Sequence, residues 1–153
     1  MSVSSVSTSS THSFAKPPTS YIYLLAARGV QGDAHCAHAP SGSHPRQVHL
    51  IASEFLAAHG VAAGVDLLRL SEGSRLHFGG RTGHAVVKLT GVREPWKRVG
   101  EWPEGLLERV REGDRRGRAR VGVYGLVERE GYVQAGDEVF VEKGKGGKSL
   151  SVV

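Results

Sequence analysis

Apolar residues in this chain come in short bursts separated by glycine-rich or polar stretches. Tyr21-Ile22-Tyr23-Leu24-Leu25 is β-prone and too short for a helix, and Arg28 to Asp33 after it reads as a turn. Residues 37–45 have loop composition, and Gln47 to Ile51 alternates polar and apolar as a half-buried strand does. Ser53 to Ala58 is a candidate short helix, with Ser53 as N-cap and Gly60 as stop. A short apolar stretch, Leu67 to Leu70, precedes the next strands. Arg75–Phe78 and Ala85–Thr90 read as two strands joined by a hairpin loop at Gly79–Gly83. The apolar positions Val86 and Leu89 are an odd number of residues apart, so a bulge or burial on both faces is expected in that strand. Pro103 to Arg111 offers a second helix, with Leu106, Leu107 and Val110 at helical spacing. Arg120–Val127 and Glu138–Val141 supply the last strands.

Many short strands with two short helices predict an α+β, β-dominated domain of barrel-like build. The Ser/Thr-rich residues 1–10 are too polar to bury much and are expected to be disordered. The Lys/Gly-rich residues 143–153 are expected to form a flexible tail. The length of 153 residues suits one compact unit.

Composition narrows the function only a little. The formal charge of +5 attracts anions of any kind. Arg109, Arg111, Arg115, Arg116, Arg118 and Arg120 form a basic run, but Glu112 and Asp114 interrupt it and no aromatic lies among them. A base-stacking platform is therefore not indicated, and nucleic acid is the weakest of the partners the charge permits. No apolar run approaches the ~20 residues a membrane span needs. Cys36 is the only cysteine, so no intramolecular disulfide exists and a reducing compartment fits. The expected location is cytoplasmic. The acid-free start of the chain leaves a mitochondrial signal as the weaker alternative, since it also lacks arginine.

Four segments, in order, carry a resemblance. They are Thr11-His12-Ser13-Phe14-Ala15-Lys16, Leu24 through His35 with its Gly29-Val30-Gln31-Gly32-Asp33-Ala34-His35, Arg46-Gln47-Val48-His49-Leu50-Ile51, and Val87 through Pro95. Together with Gly105-Leu106-Leu107, Gly122-Val123-Tyr124-Gly125 and Gly136-Asp137-Glu138-Val139, they make residues 11–142 resemble the MOSC family, the β-rich domains associated with the molybdenum cofactor. The resemblance implies a MOSC-like β-barrel with short peripheral helices and Thr11–Lys16 as its opening strand. It also implies molybdopterin as cofactor and a site built from His12, Lys16, Gly32, Asp33, His35, Arg46 and Arg93. A molybdopterin carries a phosphate and dithiolene sulfurs, so it calls for cationic donors around a concave pocket. Lys16, Arg46 and Arg93 supply charge from separate strands or strand ends and are expected to converge near the Gly32–His35 turn, where Gly32 would let a backbone approach closely. Read without the family, Gly32-Asp33 is an ordinary turn, and Lys16 and Arg46 are solvated surface charges. His35, Cys36 and His38 sit too close together for a standard zinc pattern, so no metal ligand is assigned.

Three departures fall where chemistry is expected. Family members carry a cysteine two residues beyond the Glu94 position, and here that residue is Trp96. An indole can act neither as a soft ligand nor as a sulfur carrier. The family's Gly-Glu-Asn segment is missing before Asp66, and the basic loop is cut to Ala37–Pro45. This is the pattern of a shortened or degenerate single-domain member, and little activity of the family's kind is expected. One reading is a molybdenum-cofactor-dependent oxidoreductase or sulfur carrier, served by a redox partner protein. The other is a non-catalytic domain that binds an anionic small molecule or acts as a scaffold. A pyridoxal phosphate label would come from the family alone, since nothing in the chain resembles that cofactor's domain.

Overall fold

The computed structural model describes residues 1–13, 16–51, 67–79, 84–93 and 122–153. Ten strands run through them: β1 Val6–Ser7, β2 Pro18–Thr19, β3 Tyr21–Leu25, β4 Gly29–Val30, β5 Val48–Leu50, β6 Arg75–Phe78, β7 Ala85–Val92, β8 Val123–Arg129, β9 Gly131–Gln134 and β10 Val139–Glu142. A single 3-10 turn, Leu67–Arg69, is the helical element among the described residues. The helices expected at Ser53–Ala58 and Pro103–Arg111 lie outside them, as do residues 80–83, Trp96 and the arginine run from Arg109 to Arg120.

The strands form a five-stranded sheet in the order β10-β6-β7-β8-β5, a three-stranded sheet β4-β3-β9 and a β1-β2 pair. Every pairing is antiparallel. The β-dominated class is as expected. The sheets are open, however, and among the described residues none closes into the barrel that the resemblance implied. They enclose one core instead: Leu24 and Val133 of the small sheet pack in the same cluster as Leu76, Val87, Leu89, Val123 and Val127 of the large one. Fully burying a leucine of this kind stabilises by about 1.5–3 kcal/mol. Among the described residues, no helix is long and apolar enough to cross a membrane.

The central strand β7 carries the irregularity its sequence predicts. Its pairing with β8 shifts register between Val86 and Val87 and again between Leu89 and Gly91. Val86, Val87 and Leu89 are all buried as a result. A bulge resets which residues face inward, so an odd spacing can still place every apolar side chain out of water.

Both ends of the chain depart from expectation. Residues 1–10 are ordered: Val3 N–H donates to Asp137 O, and Val139 N–H donates to Met1 O. Val6 of β1 is buried in the core. Composition points to disorder because few apolar groups are available, but burial of Val6, packing of Val3 and backbone pairing along the 136–139 turn anchor the segment. The opening strand expected at Thr11–Lys16 is not formed by Thr11, His12, Ser13 or Lys16; pairing occurs on either side, in β1 and β2. Residues 148–152 dock as well. Glu72 N–H donates to Lys148 O, Val92 N–H donates to Ser151 O, and Leu150 joins the core.

Candidate functional site

The sequence motif from Gly32 to His35 folds as a turn that follows β4. Asp33 is its hub, with a side chain only 5% exposed. One carboxylate oxygen accepts from the Lys16 ammonium, from Thr8 Oγ1 at 3.2 Å and from the Ser9 N–H at 3.1 Å. The other accepts from the His35 N–H at 3.0 Å and faces His35 Nδ1 at 3.2 Å. Burial pushes the Asp33 pKa upward. The Lys16 hydrogen bond, the two backbone N–H donors and the Lys16 charge outweigh burial and hold the carboxyl well below the usual carboxylate range. An ionised carboxylate can only accept, so in a hydrogen bond between the two the His35 Nδ1 is the donor. His12 Nδ1 lies 3.4 Å from the His35 Nε2, and the two rings meet edge to face.

Lys16, Asp33, His35 and His12 are thus brought together. Gly32 belongs to the same turn: its φ of 76° lies in the left-handed region, which glycine adopts freely, and the space where a Cβ would stand is open.

Arg46 and Arg93 gather elsewhere. β5 pairs with β8 so that His49 lies opposite Tyr124, and the end of β7 places Gly91 opposite Tyr124 from the other side. Residues opposite one another share a face, which puts His49, Tyr124 and the side chain following Val92 together. Arg93 Nη1 donates to His49 Nδ1 at 3.0 Å. The Arg46 guanidinium carbon sits 5.8 Å from the Tyr124 ring centroid, within cation–π range. Arg46 and Arg93 thus contact Tyr124 and His49, whereas Lys16 contacts Asp33 and His35, so the described side chains fall into two contact groups.

Three residues that the sequence reading did not select build this second cluster. Gln47 is buried and locks Arg46 in place. Its N–H donates to Gly125 O at 3.1 Å, its Nε2 donates to Ser41 O at 2.8 Å, and its Oε1 accepts from Val127 N–H at 3.0 Å. His49 orients Arg93, and Tyr124 lies beneath Arg46. The backbone of Gly122 passes so close to this edge that a Cβ there would stand 2.3 Å from Leu50 O and 2.9 Å from His49 Nε2. Only strand register could have revealed the His49–Tyr124 pair, and register is a long-range property.

The electrostatics of this cluster set it apart. No acidic side chain among the described residues lies within ion-pair distance of Arg46 or Arg93. Two guanidiniums beside a tyrosine ring can grip a phosphate or another oxyanion through charge-assisted hydrogen bonds. A soft metal site is another matter. Among the described residues, no group of three His, Cys, Asp or Glu side chains is placed to hold a metal ion. The Cys36 sulfur contacts Ala37 O at 3.8 Å. The donor set therefore fits the phosphate of a molybdopterin and supplies no thiolate for its metal.

The fold has a solved counterpart. The YUAD protein of Bacillus subtilis superposes with a TM-score of 0.65, at 20% identity, over 94% of this chain and 96% of its own. At that identity the likeness shows a shared fold. No curated protein matches the chain. The description of the MOSC domain family matches residues 58–140, more than half of the sequence, and the chain belongs to the MOSC domain family.

Proposed function

We propose that this MOSC domain binds the anionic end of a molybdopterin-type cofactor through Arg46 and Arg93, as a holding domain more than as a source of sulfur. The family is linked to the molybdenum cofactor, which makes that ligand class the natural one. The observation that carries the reading is the pair of guanidiniums at the β5–β8 edge that no carboxylate among the described residues neutralises. Cations held in this way by buried scaffolding suit a ligand, because folding alone gains nothing from gathering them on one face.

Each group has a stated part. Arg93 would donate to the phosphate from a position fixed by His49. Arg46 would close over the ligand from the Tyr124 ring, its backbone held by Gln47. When bound, the cofactor would supply the redox or sulfur chemistry. Trp96 stands where the resemblance places the family's cysteine, which favours a binding or scaffold role over turnover.

Expression in a host that makes molybdopterin tests this, with pterin content measured on the purified protein. Near-stoichiometric pterin is expected for the unaltered chain, and its loss in the Arg46→Ala/Arg93→Ala double variant. A pterin-free wild-type protein from that host would defeat the cofactor reading.

A further inference from the structure

A second site lies on the same sheet face, beyond the guanidinium pair. A cleft of ≈ 530 Å³ is walled by Pro45, Lys88, Leu89, Thr90, Lys148 and Val153. The 43–46 loop forms one side, where Thr90 Oγ1 donates to Pro45 O, and the docked 148–153 segment forms the other. Lys88 pairs with Leu126 across the sheet and so shares the face of Tyr124, two residues away on β8. Its stem passes Gly73, with Cε 3.9 Å from where a Cβ would stand.

Lys88 is half-buried and has no acidic partner within ion-pair distance among the described residues. The nearby carboxylates are already engaged. Glu128 holds Arg75 Nε at 2.6 Å, Glu142 lies 3.1 Å from His77, and Glu72 holds Lys148 at 2.9 Å. The residue directly opposite Lys88 on β6 is Arg75, whose charge Glu128 and Glu142 already answer. Lys88 is therefore a cation withdrawn partly from water that no carboxylate among the described residues answers, and an external anion offsets that desolvation cost.

We propose that this cleft binds a phosphate group at Lys88, as free phosphate or as the end of a small phosphate ester. A dianion suits a wall where two lysines outnumber one glutamate, and a lysine ammonium binds phosphate as a point charge. Pro45 and Val153 give an ester's organic part an apolar surface. The site does not rest on the cofactor reading, because it uses neither Arg46 nor Arg93.

Inorganic phosphate, titrated at constant ionic strength with chloride as the balancing anion, tests the proposal by amide chemical shifts. Saturable shifts at Gly73, Leu89 and Gly146 are expected. Lys88→Met should weaken them at least tenfold, and Lys88→Arg should retain them. If Lys88→Met fails to fold, Lys88→Gln serves in its place. Tighter binding of phenyl phosphate than of inorganic phosphate would identify an ester as the ligand, and equal binding would identify free phosphate. Shifts that do not saturate, or that survive loss of the Lys88 charge, would overturn the site. So would their disappearance in the Arg46→Ala/Arg93→Ala variant, which should leave them intact; failure of that variant to bind pterin bears on the cofactor reading alone.

Discussion

At the turn after β4, one carboxylate receives Lys16, a threonine hydroxyl, two backbone N–H groups and a histidine ring. At the β5–β8 edge, Arg93 meets a histidine and Arg46 a tyrosine, and neither receives a carboxylate from the described residues. Both regions came from the same family motifs, and both looked equally fit for an anion. They differ in whether the chain has already filled the place of the ligand. Asp33 is itself the anion that Lys16 needs, so the first cluster is a clasp fastening the 8–16 segment to the turn. The second has no such group among the described residues, and on the reading proposed above an oxyanion from outside takes that place. Counting cations in a sequence therefore says little until their partners are known.

The largest effect should come from opening the clasp. Asp33→Asn leaves Lys16 without its charge partner and removes an ionised acceptor from several donors. A loss of about 2–3 kcal/mol is expected by urea denaturation, within the range for breaking a partly buried, hydrogen-bonded pair. A loss below half a kcal/mol would show that Asp33 is no more structural than Arg93.

The same carboxylate sets a pH signature. Unfolded, an aspartate titrates near about 3.9, and folded Asp33 titrates lower. Between those values the unfolded chain holds the extra proton, so stability rises with pH there. The contribution is complete above the unfolded value and is lost as pH falls through the folded one. Acid titration of stability should show this limb in the native protein, and Asp33→Asn should flatten it.

At the open cluster the expected signs reverse. Arg93→Met should cost about tenfold in affinity for a phosphate-bearing pterin, roughly 1.4 kcal/mol, the size of one charge-assisted hydrogen bond. Stability should change by less than ~0.5 kcal/mol, as for substitutions that break no internal network. Calorimetry of ligand binding and of unfolding on the same samples separates the two.

The smallest effect is expected from a cation that is partnered but exposed. Arg75 spans Glu128 and Glu142 on the outer sheet face, and the Glu128 hydrogen bond raises its pKa despite some burial. Arg75→Ala should lower stability by about 0.2–1 kcal/mol, less at high salt. A loss as large as that of Asp33→Asn would mean that exposure does not separate the two pairs.

Much of the strand plan could be read from the chain because it depends on local pattern. The runs at Tyr21, Val48, Arg75, Ala85, Val123 and Val139 are β-branched or alternating, and each became a strand. Even the irregular β7 announced itself through the spacing of Val86 and Leu89. β9 did not. Val133 is its only buried side chain, and Gly131 and Gln134 give it no strand signal. The two docked ends were missed for a related reason, since backbone hydrogen bonds, which every residue can make, hold them as much as apolar burial does. In the site, proximity in sequence predicted the Asp33 cluster well. The Arg46–Tyr124–His49–Arg93 group required knowing which residues face one another across three strands.

The docked 148–152 segment has a consequence for how this sheet survives in a crowded solution. β6 pairs with β7 only as far as Lys88, opposite Arg75. Leu89 still exchanges backbone hydrogen bonds with Gly73 and Ser74 on that side; beyond it, the docked segment flanks the end of β7 opposite β8, through Ser151 and Val152. That bandage hides an adhesive edge in the middle of the sheet. Detachment would expose buried leucine and valine together with unpaired amide groups, the combination that templates strand addition between molecules. Trimming by a protease at this segment should then be followed by clumping, and the onset of light scattering would report the loss of the cover.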